Sequence, residues 1–258
     1  MVKGLYTAYT GMLNEQHRMD TLTNNLANTD TTGYKKEGAT AQAFHDVLGV
    51  KIKDTSEWNI PKRLGTLNMG VKIGENYTDY SQGAFKETGG PFDLALSDKG
   101  FFAIQFTNKQ GEESIKYTRD GSFTLTKEGL LVTKDGDPVL DKNNNTIKID
   151  PFATVSINRQ GDIYADDHFV ATIQVTDFAD YNYLLKYGEN LYDTVEGATP
   201  AVSTASVYQG YLEASNVETV SEMVQMISVS RQYEANQKII QTMDSSLESA
   251  VTQLGRLS

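Results

Sequence analysis

The sequence predicts an α+β protein in which an all-β central body lies between an N-terminal and a C-terminal helix. Apolar residues recur every seven positions at both ends of the chain, where no proline occurs. The middle consists instead of short alternating or apolar runs separated by turn residues. We therefore expect an antiparallel sheet or small barrel in the centre, and two terminal helices that pair as a coiled coil.

The first 28 residues have the pattern of an amphipathic helix. Its apolar stripe consists of Leu5, Met12, Met19, Leu22 and Leu26. The helix should end near Asn28, because residues 29–33 combine β-branched and short polar residues with a glycine that can adopt positive φ.

The stretch from about residue 217 to 255 predicts a longer helix with a two-position heptad seam. The seam consists of Met226, Tyr233, Ile240, Leu247 and Leu254, with Val229, Asn236, Met243 and Ala250 three residues after the first four. Ser215 or Asn216 is the expected N-cap. The polar Asn236 either fixes the register of the seam or marks a partly exposed helix, and the sequence leaves both readings open.

Five runs in the middle of the chain predict strands: 101–106, 122–126, 129–133, 154–157 and 170–175. Closely spaced turn residues separate them, as expected of an antiparallel arrangement. These patterns divide the chain into three parts. Residues 1–33 with 211–258 form a discontinuous helical domain, 34–69 a mixed connector, and 70–210 the β-rich body.

Composition limits the classes of partner. The chain has 23 Lys and Arg against 34 Asp and Glu, a net charge of −11, so we expect no nucleic-acid partner. It has no cysteine, which excludes disulfides and thiolate metal sites. No apolar segment is long enough to cross a bilayer, and no cleavable signal peptide is recognisable, so we expect no membrane insertion.

The sequence contains no convincing catalytic, cofactor or metal site. His17, His45 and His168 fall in separate segments without metal-ligand spacing. The cluster Asp166-Asp167-His168 is expected at a turn, where adjacent side chains diverge. We therefore expect a protein that is not an enzyme and needs no cofactor. The 14 tyrosines leave one alternative open, an extracellular β-rich carbohydrate-binding or adhesive protein.

Four blocks of sequence closely resemble the bacterial flagellar rod and hook proteins. The first is the turn 25–35, which contains Asn25, Asn28, Gly33 and Tyr34. The others follow in the family's order: residues 93–102, residues 117–123, and residues 209–217 with 233–236. The length and the single β body are similar to rod proteins of the proximal or distal type, and the sequence does not choose between the two.

The resemblance implies a structural subunit of the rod, the axial drive shaft of the flagellar basal body, which transmits torque towards the hook. Members of this family leave the cytoplasm without a cleaved signal, through the flagellar type III export apparatus. They form tubular homo-oligomers alongside other rod and hook proteins. The apolar residues of the two terminal helices would then be the assembly interface, because marginal helices become ordered when neighbours bury them.

Overall fold

The structure is a computed structural model that describes residues 2–44, 47–50, 63–68, 70–109 and 111–255. Three parts of the sequence-based prediction lie outside the described residues. They are His45, residues 46, 51–62 and 69 of the predicted connector, and the side chain of Leu254. The chain forms two compact units. We call Met1–Leu26, Glu37–Asp79 and Glu218–Ser258 the helical unit, and Ala27–Lys36 with Tyr80–Val217 the β unit.

The described part of the helical unit contains both predicted terminal helices and two antiparallel ribbons. The helices are α1 (Val2–Ala27) and α2 (Thr219–Gly255), and the strands are β1 (Glu37–Ala43), β2 (Val47–Val50), β3 (Arg63–Leu67) and β4 (Val71–Thr78). Strand β1 pairs with β4, and β2 pairs with β3. The β1–β4 ribbon contacts α1, because Val71 N donates to Thr10 Oγ1.

Local hydrogen bonds accompany the end of α1 and the start of α2. Helix α1 stops at Ala27, and the hydroxyl of Thr31 then donates to the side-chain oxygen of Asn28 at 3.0 Å. Helix α2 begins later than expected, with Glu218 rather than Ser215 or Asn216 in the N-cap position, since the Glu218 carbonyl accepts the bond from Glu222 N. The side chain of Asn216 is engaged instead by Lys36 N at 2.7 Å.

In its described residues, the β unit contains fifteen short strands and one 3₁₀ turn at Tyr181–Tyr183. The strands are β5 (Phe85–Glu87), β6 (Leu94–Ser97), β7 (Phe101–Thr107), β8 (Glu113–Thr118), β9 (Thr124–Leu125), β10 (Leu131–Val132), β11 (Val155–Ile157), β12 (Asp162–Ala165), β13 (His168–Thr172), β14 (Val175–Phe178), β15 (Leu184–Tyr187), β16 (Leu191–Thr194), β17 (Pro200–Val202), β18 (Ser206–Gln209) and β19 (Tyr211–Glu213).

An antiparallel sheet of six strands organises the β unit, in the order β15-β16-β8-β7-β14-β17. The β unit also contains a separate three-stranded antiparallel sheet, β11-β12-β13. Its other strands form antiparallel pairs: β9–β10, β6–β18 and β5–β19. The prediction of an antiparallel β body is therefore confirmed.

Strand β7 separates two apolar clusters, which explains the apolar run of its first four residues, 101–104. Phe102 and Ile104 belong to the larger cluster, and Phe101 belongs to the smaller one. Successive side chains of a strand point to opposite faces, so a strand buried on both faces needs apolar residues at every position. The larger cluster comprises Leu94, Leu96, Phe102, Ile104, Phe123, Leu131, Val139, Ile147, Ile149, Ile157, Ile163, Ile173 and Val207.

The structure divides one of the predicted strands. The run 170–175 was expected to be continuous, but β13 ends at Thr172 and β14 begins at Val175 in a different sheet. The intervening backbone bonds elsewhere, because Ile173 N donates to Gly161 O and Gln174 N donates to Leu140 O. The predicted strands at 122–126 and 129–133 shorten to the two-residue pair β9 and β10.

Neither helix of the described chain is long and apolar enough to cross a lipid bilayer.

Candidate assembly interface

Helices α1 and α2 are in contact along an antiparallel register. A Cβ built on Gly4 would lie 2.5 Å from Cε of Met243, and one built on Gly11 would lie 3.1 Å from Nδ2 of Asn236. Further along, Asn25 donates its amide proton to a carboxylate oxygen of Glu222 at 3.3 Å.

These contacts all belong to one antiparallel register between the two helices. Each advance of seven residues along α1, from Gly4 to Gly11, is matched by a retreat of seven along α2, from Met243 to Asn236. The same register holds at the Asn25–Glu222 pair, fourteen residues further along each helix. It also places the amide of Gln232 beside Glu15, where the amide nitrogen would lie 3.2 Å from the carboxylate once the amide is oriented to donate to it.

Small residues of α1 allow this approach. Gly4 and Gly11 stand where a larger side chain would meet α2, and Ala8, between them, is buried. Asn25 is fully buried and also bonds to the first residue of β1, donating to Glu37 O at 2.8 Å and accepting from Glu37 N at 2.9 Å. The amide thereby satisfies a backbone donor and acceptor together.

The predicted apolar stripe of α1 lies beside this line of contact. Leu22 is buried, and the other four members are half-buried: Leu5, Met12, Met19 and Leu26. Three of these four follow Gly4, Gly11 and Asn25 by one residue, a rotation of about 100° around the helix. The stripe therefore flanks the residues that touch α2.

The predicted seam of α2 coincides with its least exposed line. Val229 is buried at 1% exposure. Eight further residues of this line are buried or half-buried, and together with Val229 they are spaced alternately by four and three: Glu222, Met226, Tyr233, Asn236, Ile240, Met243, Leu247 and Ala250. Asn236 lies on this line beside Gly11.

A buried cluster of three charged side chains lies in the β unit. Glu213 accepts from Lys35 Nζ at 2.6 Å and from Gly83 N at 2.9 Å through one carboxylate oxygen, and from Arg119 Nη1 at 3.3 Å through the other. The Lys35 ammonium also donates to Ser81 O at 2.8 Å. The side chains of Lys35, Arg119 and Glu213 are at most 3% exposed. Three donors, two of them from cationic side chains, therefore satisfy this buried carboxylate.

The signature turn is anchored beside this cluster. Gly33 has φ of +69°, and its N–H donates to Glu213 O at 2.8 Å. A Cβ on Gly33 would lie 2.4 Å from Asp120 N, so this position requires glycine for both conformation and space. The next residue, Tyr34, is fully buried, and Lys186 Nζ lies 4.0 Å from the centre of its ring.

The structure brings together the four blocks that carry the family resemblance. Lys35 comes from the first, Arg119 from the third and Glu213 from the fourth, while Leu94 N of the second donates to Gly121 O of the third at 2.9 Å. The sequence argument missed these three charged residues as a site. The one feature of the sequence that could have indicated this site is that all three residues lie within the blocks that resemble the family.

The Asp166-Asp167-His168 cluster lies in a turn, as predicted. Asp166 and Asp167 form the two-residue turn between β12 and β13, with φ of +48° and +62°. The Asp166 carboxylate accepts from Thr154 N, and His168 is exposed. Burial raises the pKa of Tyr181, and its hydrogen bond to Asp177 raises it further. Within the described ranges, no three His, Asp or Glu side chains are grouped as metal ligands would be.

Comparison with known proteins places the chain in one family over most of its length. Three family models match: "Flagella basal body rod protein" at residues 5–35, "Flagellar hook protein FlgE/F/G D1 domain" at 95–165, and "Flagellar basal body rod FlgEFG protein C-terminal" at 208–254. Two of them cover the terminal helices, and the other covers much of the β unit.

Curated relatives match across the chain. The flagellar basal-body rod protein FlgF of Caulobacter vibrioides is 34% identical over 260 residues, which cover 100% of both chains. The rod protein FlgG of Buchnera aphidicola subsp. Schizaphis graminum is 32% identical and covers 96% of this chain and 98% of its own. The hook-basal body complex protein FlhO of Bacillus subtilis is 30% identical over the whole of both chains. The chain belongs to the family of FlgF- and FlgG-like flagellar basal-body rod proteins, which are structural components of the flagellum.

Proposed function

We propose that this chain assembles with copies of itself, and with other rod and hook proteins, into the rod of the flagellar basal body. In that position it transmits torque towards the hook. It reaches the rod through the flagellar type III export apparatus, without a cleaved signal peptide. Each subunit pairs its terminal helices as an antiparallel coiled coil, and the apolar residues of these helices form the assembly interface.

One observation carries the proposal: the seam of α2 continues past the level of Val2, the first described residue of α1. Because Gly4 lies opposite Met243, the first described residue of α1, Val2, corresponds to position 245 of α2. Helix α2 runs on to Gly255, which is about 15 Å further at 1.5 Å per residue. Leu247 and Ala250 continue the seam there. Another subunit is the natural partner for this segment.

The contacts within a subunit support the coiled-coil part of the proposal. Steps of seven residues in opposite directions are the spacing at which the same faces of two helices meet repeatedly. Most of the apolar stripe of α1 and of the seam of α2 is only half-buried within one subunit, so the order of these helices depends on further burial by neighbours. Rod assembly provides that burial.

The test is quantitative mass spectrometry of detergent-extracted hook–basal-body complexes from the source bacterium, with the gene deleted in a matched strain. We expect the chain in several copies per complex, and we expect the deletion strain to lose motility and recover it on complementation. A chain found free outside the cell, and missing from complexes of motile cells, would sink the proposal. The carbohydrate-binding alternative would then be the preferred hypothesis. A rise in the unfolding temperature of the purified chain on addition of glycans would test it.

A further inference from the structure

The chain contains two peptide bonds of the type Asp–Pro, one after Asp137 and one after Asp150. An aspartate that precedes proline can cleave its own peptide bond, because its carboxyl reaches its own backbone carbonyl carbon and closes a five-membered ring. The proline nitrogen is then the leaving group. The surroundings of the two bonds differ, and the difference indicates which bond reacts in the folded chain.

Asp137 ends a tight hairpin loop that begins at Thr133. Thr133 N donates to Asp137 O at 2.9 Å, and Asp137 N donates to Thr133 Oγ1 at 3.2 Å. Gly136, with φ of +96°, closes the loop by donating its N–H to Thr133 O at 3.1 Å. The carbonyl of Asp137 therefore already carries a backbone donor, which also stabilises its oxygen when negative charge develops there during attack.

The side chain of Asp137 is half-buried, and its carboxyl is unengaged. Among the residues that the structure describes, none donates a hydrogen bond to this carboxyl. Burial raises the pKa of Asp137, and the negative charge of Asp135 raises it further. Both effects favour the protonated, uncharged form of the carboxyl.

Few charged groups surround this carboxyl. Within the loop they are Lys134 and Asp135, which are both exposed. Strand β7 runs beside the loop, where Gln105 N donates to Pro138 O at 2.8 Å and the Gln105 side chain donates to Glu113 of β8. Strand β10, which also pairs with Pro138, carries no charge. Of these charges, Asp135 is the one that raises the pKa.

A second hairpin loop of the same construction provides a comparison. It runs from Asn158 to Asp162, with Asn158 N donating to Asp162 O at 3.0 Å and Asp162 N donating to Asn158 Oδ1 at 2.9 Å. There the carboxylate at the end of the loop accepts hydrogen bonds from Thr172 and Asn158, which lower its pKa. The carboxyl of Asp137 has no such bonds, so it is free to turn towards its own carbonyl.

The other Asp–Pro bond lacks this arrangement. Asp150 and Pro151 are exposed, and the Asp150 carboxylate accepts from Phe152 N at 3.0 Å. Ala153 N donates to Asp150 O at 3.1 Å, so a donor polarises the carbonyl at both sites. The two sites therefore differ in the carboxyl, which is engaged at Asp150 and unengaged at Asp137.

We propose that the Asp137–Pro138 bond is a self-cleavage site, at which the folded chain hydrolyses its own backbone in mildly acidic solution. A carboxyl oxygen of Asp137 attacks its backbone carbonyl carbon, the bond from that carbon to Pro138 N breaks, and the carboxyl proton passes to the departing nitrogen. The cyclic anhydride that remains at Asp137 takes up one water. The products are residues 1–137, ending in aspartic acid, and residues 138–258, beginning with proline.

The reacting form is the protonated carboxyl, because its proton must reach the nitrogen. A raised pKa keeps that form populated to higher pH, so the reaction extends further towards neutrality than at an ordinary aspartate. Cleavage should leave the β unit folded. The strands on both sides of the cut remain paired, since Val139 N donates to Leu131 O at 3.0 Å.

Timed incubation of the purified full-length chain tests this site. The chain is held at a series of pH values from about 4 to about 7, around and above the ordinary aspartate pKa. Near-ultraviolet circular dichroism is recorded at each pH, and intact-mass spectrometry under denaturing conditions measures both cuts. In the folded chain we expect cleavage after Asp137 to be at least about tenfold faster than after Asp150, the ratio that one unit of pKa represents. In guanidinium chloride the two rates should converge, because the loop is lost.

Three variants separate the contributions. Asp137→Ala removes the attacking carboxyl and should abolish the first cut while leaving the cut after Asp150. Asp135→Asn removes the charge that raises the Asp137 pKa, and it should move the pH profile of the first cut to lower pH. Glu128→Gln is the matched control, an exposed acid in the comparable hairpin loop at 126–130, and it should leave that profile unchanged.

Equal rates after Asp137 and Asp150 in the folded chain would overturn the proposal. Cleavage that appears only at pH values where the spectrum of the folded chain is lost would overturn it as well, and so would an intact Asp137–Pro138 bond at every pH at which the chain stays folded. None of these outcomes bears on the rod assignment, because the reaction requires only one copy of the chain.

Discussion

The ammonium of Lys35 lies 2.6 Å from a carboxylate oxygen of Glu213, and both side chains are at most 1% exposed. Lys35 follows the end of α1 by eight residues, and Glu213 precedes the start of α2 by six. The pair therefore joins the two chain segments that lead into the terminal helices. With Arg119 it also fixes both segments to the turn after β8.

Glu213→Gln should destabilise the β unit by about 3–5 kcal/mol, because it leaves two cations buried without their counter-ion. Urea unfolding, followed by tyrosine fluorescence, measures the loss. Arg18→Gln is the comparison, because Arg18 is 39% exposed in its pair with the largely buried Glu15, and its removal should cost less than the loss of the Glu213 charge. Equal losses for the two variants would mean that the buried cluster contributes no more than this half-exposed pair.

Gly33→Ala should cost clearly more than Gly89→Ala, although the two glycines have nearly the same φ, +69° and +70°. A Cβ at position 33 would lie 2.4 Å from Asp120 N, whereas at position 89 nothing lies within 4 Å. Gly89→Ala therefore reports the left-handed conformation alone, about 1–2 kcal/mol, and Gly33→Ala adds a backbone clash. Thermal unfolding of the two variants provides the comparison.

Gly33→Val extends the series, and we expect it to impair assembly as well as stability, because the chain beyond the turn must be redirected. If Gly33→Val assembled normally and unfolded at the wild-type temperature, the signature turn would have no structural requirement for glycine.

The helices were predictable because their apolar periodicity extends over many turns. Helix α1 was expected to end near Asn28 and ends at Ala27, and α2 was expected from about residue 217 and begins at Thr219. The strands were less predictable where the chain passes from one sheet to another. Ile173 and Gln174 carry no charge and include no glycine or proline, so their residue types do not indicate that β13 ends and β14 begins here. The N-cap was misplaced because Asn216 is recruited by a residue 180 positions away.

The buried cluster could not have been predicted from patterns alone. Lys35, Arg119 and Glu213 lie far apart in sequence, and each charge taken singly suggests a solvated surface position. Only the tertiary pairing makes their burial tolerable. The close approach of Gly4 and Gly11 to α2 was hidden for a similar reason, because the hydrophobic pattern emphasises Leu5 and Met12, one position away.

Asp162 provides a pH-dependent contribution to stability. Hydrogen bonds from Thr172 and then Asn158 lower the pKa of the Asp162 carboxyl below its ordinary value. A lowered native pKa stabilises the folded chain above the unfolded pKa of about 3.9, and this contribution is lost as pH falls through the native pKa. Thr172→Val should raise the pKa of Asp162, as followed by the NMR titration of its carboxyl carbon.

Thr172→Ser is the matched control, because it retains the hydroxyl donor and should leave the titration of Asp162 near that of the wild type. An unchanged titration in Thr172→Val would show that the Thr172 hydroxyl does not set this pKa.

Leu247→Asp should abolish assembly while leaving the β unit folded. Leu247 lies on the seam past the level of Val2, the first described residue of α1, so a carboxylate there would be buried without a partner when another subunit covers the seam, at a cost of about 3–5 kcal/mol. Ultracentrifugation of the concentrated chain and its recovery in hook–basal bodies measure assembly, and near-ultraviolet circular dichroism checks the β unit.

Ser246→Asp is the matched control for that experiment, since it introduces the same charge one residue earlier at an exposed position. We expect Ser246→Asp to assemble, because its carboxylate stays in water. Ile240→Asp places the charge within the reach of α1 and should disturb the helix pair inside one subunit as well, seen as a loss of helix content. If Leu247→Asp assembled and supported motility, the overhanging seam would not be an intersubunit contact, because no buried interface of this kind accommodates an unpaired carboxylate without loss.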